Sequence, residues 1–370
     1  LIMLSIRLSK IITAIVIIIF LFIFAACDKS ENEILKQPEI DKAPGGSDKS
    51  VEQNNKGESE GNILEGEEAD NNRKDIDLAE VKPNEAGKVM IIMYHDISDR
   101  EGEWSRHYEN FRKDLEIFYQ KGYRLISLKD FLDNNIDIPA GFSPIIFTFD
   151  DGTKGQFNLI EKDGELVIDP VCAVGILEEF NKKYPDFGMA ATFYVYYPIP
   201  FRQKEYIGQK FEYLIKNGMD IGNHTYSHAN LKGMSRQEIQ KEIGLHIKKT
   251  MGYLKDYNVD TLALPYGSYS KDNYEVIISG RYDDIEYFNR AILMVGAEPA
   301  LSPVHKRFDP HRLPRIRGSQ VYIDRWLKHF DDNPHERYIS DGDLNTITVP
   351  KEMEKSINPE ALNGKELKVY

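Results

Sequence analysis

Pro144-Ile145-Ile146-Phe147-Thr148-Phe149-Asp150-Asp151-Gly152 is the stretch that orders the rest of the chain. Its unbroken apolar and β-branched run reads as a strand buried on both faces, the kind found inside a parallel sheet. The run stops at two acids and a glycine. Neighbouring side chains on a strand point to opposite faces, but at a strand end followed by glycine both carboxylates can turn toward one cavity. Two such carboxylates can divide labour, one holding a metal and the other taking a proton. The alternative is a solvated Asp-Asp-Gly turn.

The same grammar recurs on either side. Val89 to His95 is a second buried strand, and Phe111 to Lys121 has helical spacing, with Phe111, Leu115 and Phe118 on one face. Further on, the pattern predicts a helix over 173–184, a strand over 191–196, a helix over 211–217, a short strand over 219–223, a long helix over 236–255 and a strand over 261–264. Strands alternating with helices imply a parallel sheet covered by helices, and the number of units favours a closed α/β barrel over an open sheet. Each polar cluster follows a strand. All of them would then converge at the carboxyl end of the barrel, where such folds build their sites.

The second cluster is His224-Thr225-Tyr226-Ser227-His228. Histidines four apart share a face if the segment is helical, a spacing used for zinc. Asp151 with His224 and His228 would form a site of two imidazoles and one carboxylate with open positions. Such ligands suit zinc, and also cobalt, nickel or iron.

Thr-Phe-Asp-Asp-Gly, then His-Thr-x-x-His, then Leu264-Pro265-Tyr266-Gly267 resemble the motifs of the polysaccharide deacetylase family, carbohydrate esterase family four. The resemblance covers about residues 88–318 and implies a distorted (β/α) barrel. It also implies metal-dependent hydrolysis of N-acetyl groups on a cell-surface or matrix polysaccharide, such as an N-acetylglucosamine polymer, peptidoglycan or an exopolysaccharide. Carried over by position, Asp150 resembles the catalytic base, Asp151 the carboxylate ligand, and His224 and His228 the imidazole ligands. Pro265 and Tyr266 resemble the oxyanion and substrate-binding turn, with the Tyr266 N–H as donor. Tyr94-His95-Asp96 resembles the Tyr-His pair of the exopolysaccharide-type branch, and His95 is the candidate general acid that protonates the leaving amine. Two departures stand out. The family's third motif usually has an arginine two residues before the proline, where this chain has Ala263. A carboxylate base needs a cation or donors to keep it ionised. The nearest suitable replacement is Arg315, in Arg312-Leu313-Pro314-Arg315-Ile316, so Arg315 is expected to reach Asp150 from a later strand end. The family's late Leu-x-His is matched in letters by Leu327-Lys328-His329, within an amphipathic pattern from Val321 to Phe330. Trp104, Tyr196, Tyr197 and Phe201 could line a sugar groove or pack in the core.

Composition bounds the rest. Hydrophobic residues are 41% and charged residues 29%, enough for a packed core. The net charge of −13 is concentrated outside it: residues 28–87 hold seventeen acidic and eight basic side chains and no aromatic residue. Such a segment is expected to be a disordered tether. No basic stripe suits nucleic acid. Two cysteines exclude a disulfide framework, and Cys172 reads as a small buried hydrophobe. Arg7 and Lys10 precede an apolar run to Ala26, and Phe24-Ala25-Ala26-Cys27 resembles a lipobox in which Phe24 is a departure. The expected organisation is a lipoprotein signal peptide over 1–26, a linker over 27–87 starting at a lipidated Cys27, and a catalytic domain over 88–370. The protein would then be extracytoplasmic and membrane-anchored. An O-acetyl polysaccharide esterase and an inactive carbohydrate-binding relative stay open as alternatives.

Overall fold

The computed structural model describes residues 76–370. The segments expected to be a signal peptide, a lipidated cysteine and most of the linker lie outside the described residues. The described part begins earlier than expected at Lys88. Asp77 caps a short helix, Leu78–Val81, and Asn84, Glu85 and Ala86 are buried. The reason is a distant partner. The Glu85 carboxylate accepts from the Thr348 backbone N–H at 2.7 Å and the Tyr338 hydroxyl at 3.1 Å. Burial and the neighbouring Asp341 push its pKa up to about 8.

Seven strands position the site: β1 (Lys88–Tyr94), β2 (Ser143–Asp150), β3 (Thr192–Val195), β4 (Asp220–Asn223), β5 (Thr261–Ala263), β6 (Ala291–Leu293) and β7 (Ile316–Arg317). They pair in parallel in the order β6-β5-β4-β3-β2-β1-β7. Helices α1 (Tyr108–Gln120), α2 (Ala173–Lys183), α3 (Ile207–Lys216) and α4 (Arg236–Met251) follow the first four strands, and α5 (Gln320–Asp332) follows the last. α1 to α3 and α5 cover one face of the sheet through Phe111, Leu115, Leu177, Phe211 and Leu327, which share a core with Phe147, Phe149 and Phe193. The concave face carries a second core of Ile91, Ile146, Tyr194, Ala263, Leu293 and Leu313.

The architecture is α/β with a curled, half-barrel sheet, less regular than a closed barrel. Its two ends meet at a seam of one parallel bridge, Leu293 with Leu313. There Leu313 donates to Ile292 at 3.0 Å and accepts from Met294 at 2.8 Å. Three residues later Ile316 pairs with Ile92 of β1. Pro314, between them, has no N–H to extend either ladder, so the last strand is short and the closure incomplete.

Gly222 shows how local sequence serves this packing. It pairs with Tyr194 across β3 and β4, and a methyl group there would fall inside the Tyr194 ring. Gly222→Ala should therefore cost about 1–3 kcal/mol in denaturant unfolding. It should also disturb His224, two residues on. Unchanged stability would mean that the ring moves aside freely.

Candidate metal centre and active site

Asp150 is the last residue of β2, with its side chain on the concave face two positions beyond Thr148. It is 1% exposed, yet it is a carboxylate. Arg315, fully buried, donates from Nη1 to Oδ1 and from Nη2 to Oδ2, both at 2.7 Å. The guanidinium is itself fixed by donation to Thr148 Oγ1 at 3.1 Å and to the Met294 carbonyl at 3.0 Å. Burial pushes the Asp150 carboxyl up. The charges of Arg315 and His224 and the hydrogen bonds from Arg315 outweigh it and hold the group below its ordinary value. Arg315 thus makes the contact expected from the absence of an arginine at Ala263. It comes from just before β7, so its side chain rises along the concave face from below. Arg312 does not join it. That side chain is exposed, 4.0 Å from Asp309.

Asp151 turns the chain with φ +80°, bringing its carboxylate to the cavity beside that of Asp150. Its Oδ1 stands 3.5 Å from His224 Nε2 and 3.2 Å from His228 Nε2. These separations are close to the ligand–ligand spacing, about 3.4 Å, of a tetrahedral centre with bonds near 2.1 Å. Asp151 Oδ1 is buried and has no hydrogen-bond partner, an arrangement that is costly unless something else occupies it. The outer ring nitrogens are engaged: His224 Nδ1 meets the Ala263 carbonyl at 2.8 Å, and His228 Nδ1 meets the Tyr266 hydroxyl at 3.1 Å. With Nδ1 of His224 donating, its Nε2 lone pair faces inward, as metal ligation requires. The three residues fit a divalent metal. Burial raises the Asp151 pKa, but the two imidazole contacts pull it far below the ordinary carboxylate range.

The histidines do not converge through helical spacing. Residues 224–228 form an irregular loop, with left-handed backbone at Thr225 (φ +58°) and His228 (φ +57°). Asn223 Oδ1 accepts from Thr225 N at 2.8 Å, and Thr225 Oγ1 accepts from Ala229 N at 2.8 Å. Glu242 on α4 clasps Ser227 through its N–H at 2.8 Å and its hydroxyl at 3.0 Å. These bonds hold a conformation that L residues otherwise avoid.

A cavity of about 410 Å³ opens over this centre, walled by His95, Trp104, Tyr266 and Arg317 among others. Tyr266 is 64% exposed and again left-handed, with φ +59°. Pro265 is buried beneath the turn and shapes it rather than facing the cavity. His95 is half-buried, with its ring 4.6 Å from Trp104. Burial lowers its pKa, while the charges of Asp150 and Asp151 act in the opposite sense. His329, in the Leu-x-His match, lies instead on α5 and pairs with Glu336 at 3.1 Å. Tyr197 and Phe201 are core residues, and Tyr196 packs on His228 at 5.1 Å.

Two features escape a reading of motifs. One is Arg317, whose guanidinium lies 4.1 Å over the Trp104 ring. Its signal was strand alternation: two residues after Arg315, it occupies the same face one layer higher. The other is the Tyr266 side chain, which steadies a ligand where only its backbone was expected to act.

Arg315→Met tests the ion pair. Since Arg315 depresses the Asp150 pKa, its removal should move the acidic limb of the pH–rate profile upward, with bound metal retained. The stability contributed by that depressed pKa is present above the unfolded carboxylate value, near 3.9, and lost as pH falls through the folded one. Leaving Asp150 buried and unpaired should cost about 3–5 kcal/mol at neutral pH. Arg312→Met should change neither limb nor stability. His228→Ala should lose metal, read by elemental analysis of the dialysed protein; full occupancy would remove His228 from the ligand set.

Residues 138–282 match the family model for polysaccharide deacetylase. A curated relative from Bacillus subtilis (strain 168), the candidate polysaccharide deacetylase YxkH, is 23% identical over 202 residues. That match covers 54% of this chain and 64% of YxkH, slightly under two thirds of the relative's length. Among solved structures, the chain is similar to the Streptococcus pyogenes deacetylase PplD in complex with acetate, at 18% identity and TM-score 0.48 over 65% of this chain and 97% of that one. It is also similar to IcaB from Ammonifex degensii, at 14% identity and TM-score 0.46 over 65% and 96%. The matched segment contains Asp150, Asp151, His224, His228 and Tyr266.

Proposed function

We propose that this protein is a metal-dependent deacetylase that hydrolyses N-acetyl groups on a cell-surface or matrix polysaccharide and releases acetate. The observation that carries the reading is the pairing of two different carboxylates in one cavity. Asp151 faces two imidazoles as a ligand, and Asp150 is kept ionised by Arg315 as a base. A divalent metal, zinc or another of that ligand preference, bound by Asp151, His224 and His228 would polarise a water and the acetyl carbonyl. Asp150 accepts the water's proton as the new C–O bond forms. Amide cleavage also requires a proton on the departing nitrogen, and His95, on the same cavity wall, gives it. The Tyr266 turn offers its backbone N–H to the oxygen that gains charge. Trp104 and Tyr266, both exposed at the rim, offer aromatic surface for a sugar.

The N-terminal segment supports a further part of the proposal, in which Cys27 is lipidated and the acidic stretch tethers the enzyme outside the cell membrane. Its support is the sequence pattern alone.

The test is acetate release by the full chain from N-acetylglucosamine oligomers, peptidoglycan and acetylated xylan. Release from an N-acetylated polymer should cease with a chelator and return with zinc or cobalt. Release from xylan alone would replace the reading with an O-acetyl esterase. Asp150→Asn should keep the metal and lose at least about 100-fold in turnover, because an amide cannot take the proton. Loss of metal in that variant would reverse the roles of the two aspartates.

A further inference from the structure

Three histidines wall the catalytic cavity, and they are not held alike. His224 Nδ1 meets the Ala263 carbonyl at 2.8 Å, and His228 Nδ1 meets the Tyr266 hydroxyl at 3.1 Å. At His95 the backbone is fixed, its carbonyl accepting from Gln156 Nε2 at 2.8 Å. Among the described residues, no group is hydrogen-bonded to either nitrogen of its ring. A histidine is ordinarily oriented by the bond that its far nitrogen makes. The His95 ring instead meets the indole of Trp104, with centroids 4.6 Å apart and planes tilted by 55°.

Trp104 is 42% exposed, on a loop whose residues 99–104 are all exposed. An exposed side chain can orient a neighbour only if its own backbone is fixed. The Asp96 N–H, next to His95, donates to the Trp104 carbonyl at 3.1 Å. The arms of the loop, Asp96–Ser98 and Ser105–His107, pair in parallel. Arg106, two residues after Trp104, is buried and donates from Nε and Nη2 to the two oxygens of Asp114 on α1, at 2.9 and 2.6 Å. It also reaches Glu101 in the loop at 2.7 Å and Gln320 at the start of α5 at 2.9 Å. Tyr94, which precedes His95, donates to the same Asp114 at 3.0 Å. The loop is thereby tied to α1, α5 and β1. Above this anchor, Arg317 lies 4.1 Å over the indole and donates to Glu103 at 3.1 Å.

We propose that Trp104 is the positioning residue of the general acid: its ring, on a loop anchored by the buried Arg106–Asp114 pair, aims the His95 imidazole at the departing nitrogen. This rests on the deacetylase reading, in which His95 protonates the amine, and names what holds it there. Base and acid are then oriented by different means. A buried arginine grips Asp150 directly, whereas a second buried arginine serves His95 through a loop and an aromatic ring.

The experiment uses the full chain with zinc and an N-acetylglucosamine tetramer, with acetate release as the readout. Trp104→Ala should lower kcat roughly 10- to 100-fold, the cost of misplacing a reacting group. Loss of sugar-binding surface alone would raise KM and spare kcat. Trp104→Phe, which keeps a ring, should retain most of kcat. In a His95→Gln background, Trp104→Ala should lower kcat further by less than about twofold, because nothing is left for it to position. A change confined to KM, or an undiminished loss in the His95→Gln background, would overturn the proposal. Carbon-13 relaxation at the His95 Cε1–H, assigned by its absence in His95→Gln, reads the ring itself. Its order should fall in Trp104→Ala and hold in Trp104→Phe. If no acetylated glycan releases acetate, the deacetylase reading falls, and the ring's order still decides the role of Trp104: equal order in the parent and in Trp104→Ala would overturn it.

Discussion

The ion pair between Arg315 and Asp150 couples the fold to the chemistry. Both side chains are almost wholly buried, and burying either charge alone would be costly. Bidentate geometry and the further bonds from Arg315 to Thr148 and Met294 make the burial tolerable. The residues around Arg315 are those that bring the ends of the sheet together, Leu313 bridging to β6 and Ile316 pairing with β1. Closure of the sheet and ionisation of the base are therefore one event. If the seam opened, Asp150 would lose its counter-charge, and if Arg315 were lost, the seam would surround an uncompensated carboxylate.

Above that pair the site is layered along β7. Arg315 lies at the base beside Asp150, and Arg317, two residues on, reaches the cavity rim and lies over Trp104. Trp104 in turn packs against His95. A strand alternation of two thus delivers one arginine to Asp150 and the next to the cavity wall.

The candidate metal ligands are held differently. Asp151, His228 and the supporting Tyr266 all adopt left-handed backbone, each at the first polar turn after a strand. Three such residues about one small cavity mark a place where conformation is imposed by the surroundings. Glu242 from α4, Asn223 at the end of β4 and the Ala263 carbonyl impose it. A ligand set fixed before a metal arrives loses little freedom on binding it, and the two carboxylates keep separate tasks because their partners differ.

The alternation of apolar strands and amphipathic helices, and the acids and histidines at strand ends, were legible in the sequence because burial periodicity and strand-end chemistry are local properties. The need for a cation at Asp150 was legible too, since the methyl group of Ala263 cannot supply one and Arg315 lies in a late basic segment directly after a proline. What only the tertiary structure decided depends on residues far apart in the chain. His224 and His228 meet through a loop clasped by Glu242, not through a helix, because the turn is set by α4. Residues 84–87, polar enough to read as tether, are folded because Glu85 finds Thr348 and Tyr338 more than 250 positions away. The sheet curls to a seam instead of a regular barrel because one proline interrupts its last ladder between two partners that the sequence does not name.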